Sequence, residues 1–127
     1  MKRDHINALN APQPHGGYSQ AVSIEEFRRL LFVSGQIPVP SDEVVPEGFE
    51  AQAHQVWLNV DAQLKAAGMA KTDIVKITTY LADRHHVMAN REIRNDYLGS
   101  HAPAMTVVIT GIFDSAWLLE VEVVAAQ

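Results

Sequence analysis

The chain has 127 residues, a length that suits one domain, and its 47% hydrophobic and 20% charged residues are typical of a globular protein. The absence of cysteine excludes disulfides, thiolate zinc sites and cysteine nucleophiles. A formal net charge of −5 with scattered basic residues disfavours nucleic-acid binding, and a polar N-terminus without a secretory signal or membrane segment predicts a cytoplasmic protein.

The first half of the chain predicts two strands, a loop and a helix. Tyr18 to Val22 and Leu30 to Val33 are β-prone and predict an N-terminal hairpin. The stretch from Pro38 to Gly48 is rich in proline and predicts a loop. Apolar residues spaced by three and four from Glu50 onward, ending before Gly68, predict the first amphipathic helix.

The second half predicts a strand, a helix and two more strands. Asp73 to Leu81 alternate between two faces, which is typical of a strand, and Asp83 is a suitable N-cap for a helix through Leu98. The β-prone runs Met105 to Phe113 and Leu118 to Ala126 predict a C-terminal hairpin. This order predicts an α+β fold in which two helices back one face of a mixed sheet of about six strands.

The last strands also bear on quaternary structure. Their apolar residues occupy both odd and even positions, and therefore both faces of the sheet, as in Val107 and Ile109 on one face and Val108 and Ile112 on the other. Two helices cover only one face of a sheet, and an uncovered apolar face would exceed the few hundred Å² that soluble monomers tolerate. We therefore expect a homo-oligomer in which other copies of the chain cover the second face, with small-molecule clefts between subunits.

Two acidic residues interrupt the last apolar strand. Glu120 and Glu122 share one strand face, flanked by Leu118 and Val124. One interpretation is that one of these carboxylates handles protons or orients a water molecule. The other is a pair of edge or interface carboxylates held by backbone amides or by an arginine of a neighbouring subunit, and spacing alone favours this second interpretation.

Two glycine-containing motifs carry a family resemblance. They are Gly16-Gly17-Tyr18-Ser19-Gln20 and Val33-Ser34-Gly35-Gln36-Ile37-Pro38. Nearly the whole chain resembles the Rid (YjgF) family through these motifs together with Asn59, Ala66-Ala67-Gly68, Asp73-Ile74-Val75-Lys76, Asn90, Pro103-Ala104 and Glu120-Val121-Glu122. The resemblance implies a single domain over residues 1–127 with a chorismate-mutase-like fold. It also implies a homotrimer whose sheets form a central barrel, with each cleft between two subunits.

The best-known Rid proteins are imine deaminases that hydrolyse reactive 2-imino acids without a cofactor. By this resemblance Tyr18 and Ser34 line the cleft, Asn90 lies near it, and Glu120 positions the attacking water. Met105 stands where active deaminases carry an arginine that grips the substrate carboxylate. Loss of one member of a buried charge pair costs about 2–5 kcal/mol. Deamination of ordinary 2-imino acids is therefore expected to be weak or absent.

Other departures from the family pattern indicate a remodelled cleft. His15 and Gly17 replace an apolar residue and a proline, and Ile112-Phe113-Asp114 replaces a Leu-Pro turn. His15 is a candidate substrate-binding cation, against the alternative of a loop histidine without a role. Arg91 and Arg94 on the second helix are considered as cations that could stand in for the missing arginine, but a solvated helix face is the favoured interpretation.

Two functions remain at this stage. The first is a Rid-type hydrolase or deaminase acting on an imine or enamine metabolite, with Glu120 orienting water. The alternative is a non-catalytic trimeric module that binds or senses a small metabolite. No metal is expected, because no two of the six histidines have the four-residue spacing that places two ligands on one helix face.

Overall fold

Six strands and two α-helices make up the computed structural model, which describes all residues, 1–127. They are β1 (Lys2–Ile6), β2 (Ala21–Glu25), β3 (Leu30–Gln36), α1 (Phe49–Ala66), β4 (Ile74–Leu81), α2 (Val87–Leu98), β5 (Ala104–Ile109) and β6 (Leu119–Ala126). The predicted α+β class, with two helices and six strands, is confirmed. Neither helix combines the length and apolar character that crossing a membrane requires.

The strands are divided between two sheets rather than joined in one. The main sheet has the order β3-β6-β4-β5, in which β6 is antiparallel to both neighbours and β5 is parallel to β4. β1 and β2 form a separate antiparallel ribbon. A single bridge between Ser19 and Ala104 connects the start of this ribbon to the edge of the main sheet.

Both predicted hairpins are wrong. β2 pairs with β1, which sequence reasoning missed, and β3 pairs with β6 instead. β5 and β6 are consecutive in the chain, yet β6 lies between β3 and β4 while β5 occupies the outer edge. The physical reason is burial, because β6 alternates buried residues along its whole length and so takes a central position. The predicted strand through Phe113 ends at Ile109, and Phe113 is 96% exposed.

The hydrophobic core lies between the two helices and one face of the main sheet. Val56, Val60 and Leu64 follow the helical spacing of α1, and each is fully buried. They belong to one cluster with residues from β4, α2 and β6. Both helices therefore cover the same face, as predicted, and the opposite face of the main sheet has no cover within the subunit.

The helix ends follow the sequence signals. After α1, Met69 N donates to Leu64 O at 2.8 Å, and Gly68 adopts a φ of +72°, a conformation that glycine tolerates without strain. At the turn that leads into α2, the Asp83 carboxylate accepts a hydrogen bond from His85 N at 2.9 Å. The predicted stop after α1 is confirmed. Asp83 caps the short 3-10 turn Arg84–His86 rather than α2 itself, which begins after His86 without a side-chain cap.

Two amide side chains on α1 fix the loops that flank the site-bearing strands. Gln52 is buried, and its side chain donates to Ala116 O at 3.0 Å and accepts from Leu118 N at 2.8 Å. Asn59 donates to Ile37 O at 2.9 Å. Because these bonds satisfy backbone groups next to β6 and β3, they hold the ends of both strands against α1.

Candidate functional site

The open face of the main sheet is the face opposite the helices. On β4, Ile77 and Leu81 are buried toward the helices while Tyr80 points the other way, and on β6 the half-buried Glu120 and Glu122 alternate with buried residues. The predicted shared face of the two glutamates is confirmed. The open face comprises Phe32, Ser34, Lys76, Thr78, Tyr80, Val108, Glu120, Glu122 and Val124. This surface is mixed, so the expectation of an apolar second face is wrong: β4 and β6 both place polar side chains there.

The two open-face glutamates have different surroundings. Glu122 accepts a hydrogen bond from Tyr80 Oη at 2.8 Å, and this bond raises the pKa of Tyr80. Glu120 has no hydrogen bond or ion pair within the subunit and lies against Gly35. A Cβ atom added to Gly35 would lie 1.9 Å from Glu120 Oε2, so the absence of a side chain at this position makes room for the carboxylate. Glu122 is therefore a partnered carboxylate, and Glu120 remains available to a ligand.

A cavity of about 420 Å³, called here the α2–β5 cavity, lies on the helix-covered side of the molecule. It brings together three residues that the sequence nominated: Tyr18, Asn90 and Met105. Asn90 is only 2% exposed, and its side chain makes no hydrogen bond within the subunit. The complete lining is Tyr18, Gln20, Val87, Asn90, Arg91, Arg94, Met105, Val107 and Ile109.

Strand register explains how Met105 and Tyr18 reach this cavity. Met105 pairs with Ile77 in the parallel β4–β5 ladder, so the two side chains point to the same, helix-covered side. Ser19 N donates to Pro103 O at 3.0 Å, and Ser19 Oγ donates to the neighbouring carbonyl of Ala102 at 2.6 Å. These bonds tie the segment after Tyr18 to the start of β5 and place the phenol beside the cavity.

The other nominated residues lie elsewhere. Ser34 is on the open face, in a separate cavity of about 290 Å³ that Glu122 also lines. His15 is exposed and is not among the residues that line the α2–β5 cavity. Since Met105 and Glu120 occupy opposite faces of the main sheet, one subunit cannot bring both of them to the same small ligand.

The sequence interpretation that favoured a solvated Arg94 is wrong. Its side chain is 2% exposed and lines the α2–β5 cavity. Burial, followed by the nearby positive charge of Arg91, lowers the pKa of Arg94. One signal was present in the sequence: Arg94 follows Asn90 by four residues, which places both on the same side of α2. Arg91 is exposed, as predicted.

Comparison with known proteins identifies the family. A family model described as endoribonuclease L-PSP matches residues 8–127, and a RutC family protein of Pyrococcus horikoshii is 36% identical over 97% of each chain. The chain belongs to the Rid (YjgF) family. The human 2-iminobutanoate/2-iminopropanoate deaminase is 35% identical over 96% of this Rid chain and 88% of its own. The Rid family protein YyfB from Yersinia pestis superimposes over 100% of both chains, with a TM-score of 0.85 and 25% identity.

Proposed function

We propose that this Rid protein hydrolyses an imine or enamine of a small metabolite, in clefts between the subunits of a homotrimer. The observation that carries the proposal is the meeting of Tyr18, Asn90 and Met105 at the α2–β5 cavity. A volume of about 420 Å³ suits a small metabolite. The similarity to 2-iminobutanoate/2-iminopropanoate deaminases, at 35% identity to the human protein, favours imine hydrolysis as the reaction.

The separation of the site residues supports clefts between subunits. Glu120 and Ser34 lie on the open face, and the cavity lies across the main sheet from them. The open face also presents Phe32, which is 72% exposed, and Val108, which is 38% exposed. Burying these side chains against another copy of the chain would stabilise an assembly. In that assembly the Glu120 of one subunit faces the α2–β5 cavity of the next.

The reaction needs water, a positioned carboxylate and no redox partner. Glu120 orients a water molecule, whose oxygen bonds to the imine carbon while a proton passes through the carboxylate to the nitrogen. The hydroxyl proton of the resulting carbinolamine then passes through the same carboxylate to the amine nitrogen, and as the carbonyl forms the carbon–nitrogen bond breaks and ammonia leaves. Tyr18 and Asn90 donate hydrogen bonds to the polar groups of the substrate. A positioned general base of this kind contributes about 10²–10⁴-fold in rate.

Hydrolysis of 2-iminobutanoate tests this proposal. The imine is generated in situ from threonine by a dehydratase, and its decay is followed with and without the protein. We expect the wild type to accelerate the decay and Glu120→Gln to lower that rate about 100-fold or more. Glu122→Gln is the matched control, because it changes a carboxylate on the same strand that already has Tyr80 as its partner, and it should stay within about 3-fold of the wild type.

Two outcomes would contradict the proposal. The first is a wild type that leaves the decay of 2-iminobutanoate and of neutral imines unchanged. The second is Glu120→Gln activity equal to that of Glu122→Gln. Tight ligand binding without turnover would instead favour the alternative, a non-catalytic binding or sensing module, for which the replacement of the family arginine by Met105 is the favouring observation.

A further inference from the structure

Arg94 is a buried cation without a counter-charge in its own subunit. Its side chain is 2% exposed, and no carboxylate lies within ion-pair distance of it. The α2–β5 cavity that it lines contains Arg91 as well and no acidic residue. Burying an unpaired guanidinium is unfavourable, so this arrangement is best explained by an anion that enters the cavity.

The guanidinium is held so that one of its edges remains free. Nε and Nη2 of Arg94 donate to Asn95 Oδ1, at 3.3 and 3.2 Å. The remaining N–H groups, on Nη1 and Nη2, make no hydrogen bond within the subunit. These two nitrogens form the end of the guanidinium that binds a carboxylate through two parallel hydrogen bonds. Asn95 therefore orients Arg94 through the Nε–Nη2 edge and leaves the Nη1–Nη2 edge free for a carboxylate.

Gly17 makes room for this arrangement. A Cβ atom added at Gly17 would lie 2.2 Å from Asn95 Oδ1 and 2.9 Å from its Cγ atom. Gly17 also has a φ of +77°, far from the value near −65° that proline requires. The proline that the family pattern has at this position would fit neither the backbone nor the space. The glycine thus permits the Asn95 contact that orients Arg94.

Met105 completes the arrangement on the opposite wall of the same cavity. It lies on β5, where the family pattern has its arginine, whereas Arg94 reaches the cavity from α2. A second guanidinium at position 105 would repel Arg94, and an uncharged thioether does not. The departures at Gly17 and Met105 are therefore linked through Arg94.

We infer that Arg94 is the carboxylate-binding residue of this protein, and that the α2–β5 cavity takes small 2-imino or 2-oxo acids. The 2-imino acid as substrate rests on the proposed function, whereas the binding of a carboxylate does not. The inference reverses the expectation that Met105 removes recognition of 2-imino acids. The carboxylate-binding cation lies on α2 in this protein, whereas the family pattern has it on the strand that carries Met105. The preference for an acid is retained.

Calorimetric titration with 2-oxobutanoate, and with its neutral analogue 2-oxobutanamide, tests the inference without turnover. The wild type should prefer the acid. Arg94→Met, which keeps an unbranched stem and loses the guanidinium, should lower affinity for the acid about 30-fold or more and leave the amide unchanged. The affinity of Arg94→Lys for the acid should lie between those of the wild type and Arg94→Met, because lysine keeps the charge and lacks the two parallel hydrogen bonds. Arg84→Gln, which removes an exposed arginine that precedes α2 and does not line the cavity, is the control and should change affinity for the acid by less than about 3-fold.

A rescue variant protects this test against misfolding. Met105→Arg in the wild-type background should bring no gain, because two guanidiniums then share one cavity. In the Arg94→Met background the same change should restore binding of 2-oxobutanoate. Unchanged affinity for the acid in Arg94→Met would overturn the inference. So would a gain of about 10-fold or more from Met105→Arg alone, since that gain would mean that the wild type has no carboxylate-binding cation.

The two proposals fail in different ways. If the wild type binds 2-oxobutanoate through Arg94 but does not hydrolyse 2-iminobutanoate, the proposed function is wrong and the role of Arg94 stands. If the wild type hydrolyses 2-iminobutanoate and Arg94→Met does so with an unchanged KM, the hydrolase stands and the role of Arg94 is wrong.

Discussion

The α2–β5 cavity and the open face carry opposite charges on opposite sides of the main sheet. The cavity contains two arginines and no carboxylate, whereas the open face carries the carboxylates Glu120 and Glu122 and one cation, Lys76. The cavity also holds a departure from the family pattern, Met105, while the open face keeps the family motifs around Ser34 and Glu120. Under the proposed function, the cavity binds the substrate anion and the open face activates water. Because the two sides are separate, recognition can change while the reaction is kept.

Substitutions in the hydrophobic core that supports both sides should have the largest effect, a loss of stability. Leu64→Ala removes a fully buried side chain from between α1 and the main sheet, and should lower the free energy of unfolding by about 2–5 kcal/mol. Leu58→Ala, on the same helix but 64% exposed, should change it by less than about 0.5 kcal/mol. Urea denaturation of both variants checks this, and equal costs would contradict the packing described here.

The open face can be perturbed through Gly35. In Gly35→Ala the new Cβ atom would overlap Glu120 Oε2, so the carboxylate must move. Hydrolysis of 2-iminobutanoate should fall about 100-fold, while binding of 2-oxobutanoate in the α2–β5 cavity stays unchanged. Gly111→Ala is the matched control, because a Cβ atom there meets nothing within 4 Å. If Gly35→Ala lost binding of 2-oxobutanoate as well as hydrolysis, binding and hydrolysis would not be separate functions of the two sides.

The cavity can be perturbed in the same way through Gly17. In Gly17→Ala the Cβ atom displaces Asn95, and the affinity for 2-oxobutanoate should fall about 10-fold as Arg94 loses its orientation. Gly16→Ala is a close control, because its φ of +87° strains alanine equally while its Cβ atom meets nothing within 4 Å. Calorimetry compares the two variants, and equal losses would mean that backbone strain is the cause.

A smaller effect should appear in the pH dependence of stability. His101, just before β5, donates from Nε2 to Ile74 O at 2.7 Å, and burial lowers its pKa from the ordinary value of 6.5. Below that value the unfolded chain binds a proton more readily than the folded chain. The stabilising contribution is therefore full above about pH 6.5 and declines as the pH falls toward the lowered pKa.

Denaturation at about pH 7.5 and about pH 5.5 measures this decline. The wild type should be less stable at the lower pH, and His101→Asn should show a smaller difference between the two conditions. His86 acts in the same direction, because burial also lowers its pKa. A wild type that gains stability on acidification would contradict this account of His101.

The sequence predicted the helices and strands better than it predicted which strands pair with each other. Periodicity located α1, β4 and α2, because spacing records which side of an element is buried. Strand pairing depends on contacts between distant segments, and so neighbouring β-prone runs were wrongly paired as hairpins. β1 was missed because its sequence, Lys-Arg-Asp-His-Ile, has little apolar alternation.

The site shows the same limit. The family resemblance nominated Tyr18, Asn90 and Met105, which meet at one cavity. The burial of Arg94 depends on how α2 packs beside β5, and residue type alone indicated a solvated side chain. The separation of Met105 from Glu120 likewise follows from strand register, which only the fold supplies.

Mixing two inactive variants tests most directly whether the site is shared between subunits. The Glu120→Gln and Arg94→Met variants are unfolded together, refolded at a one-to-one ratio and assayed for hydrolysis of 2-iminobutanoate. If each cleft takes its cavity from one subunit and its glutamate from the next, random assembly should restore about a quarter of the clefts and a similar share of wild-type activity. A mixture no more active than the two variants assayed separately would show that both residues act within one subunit, which contradicts this account.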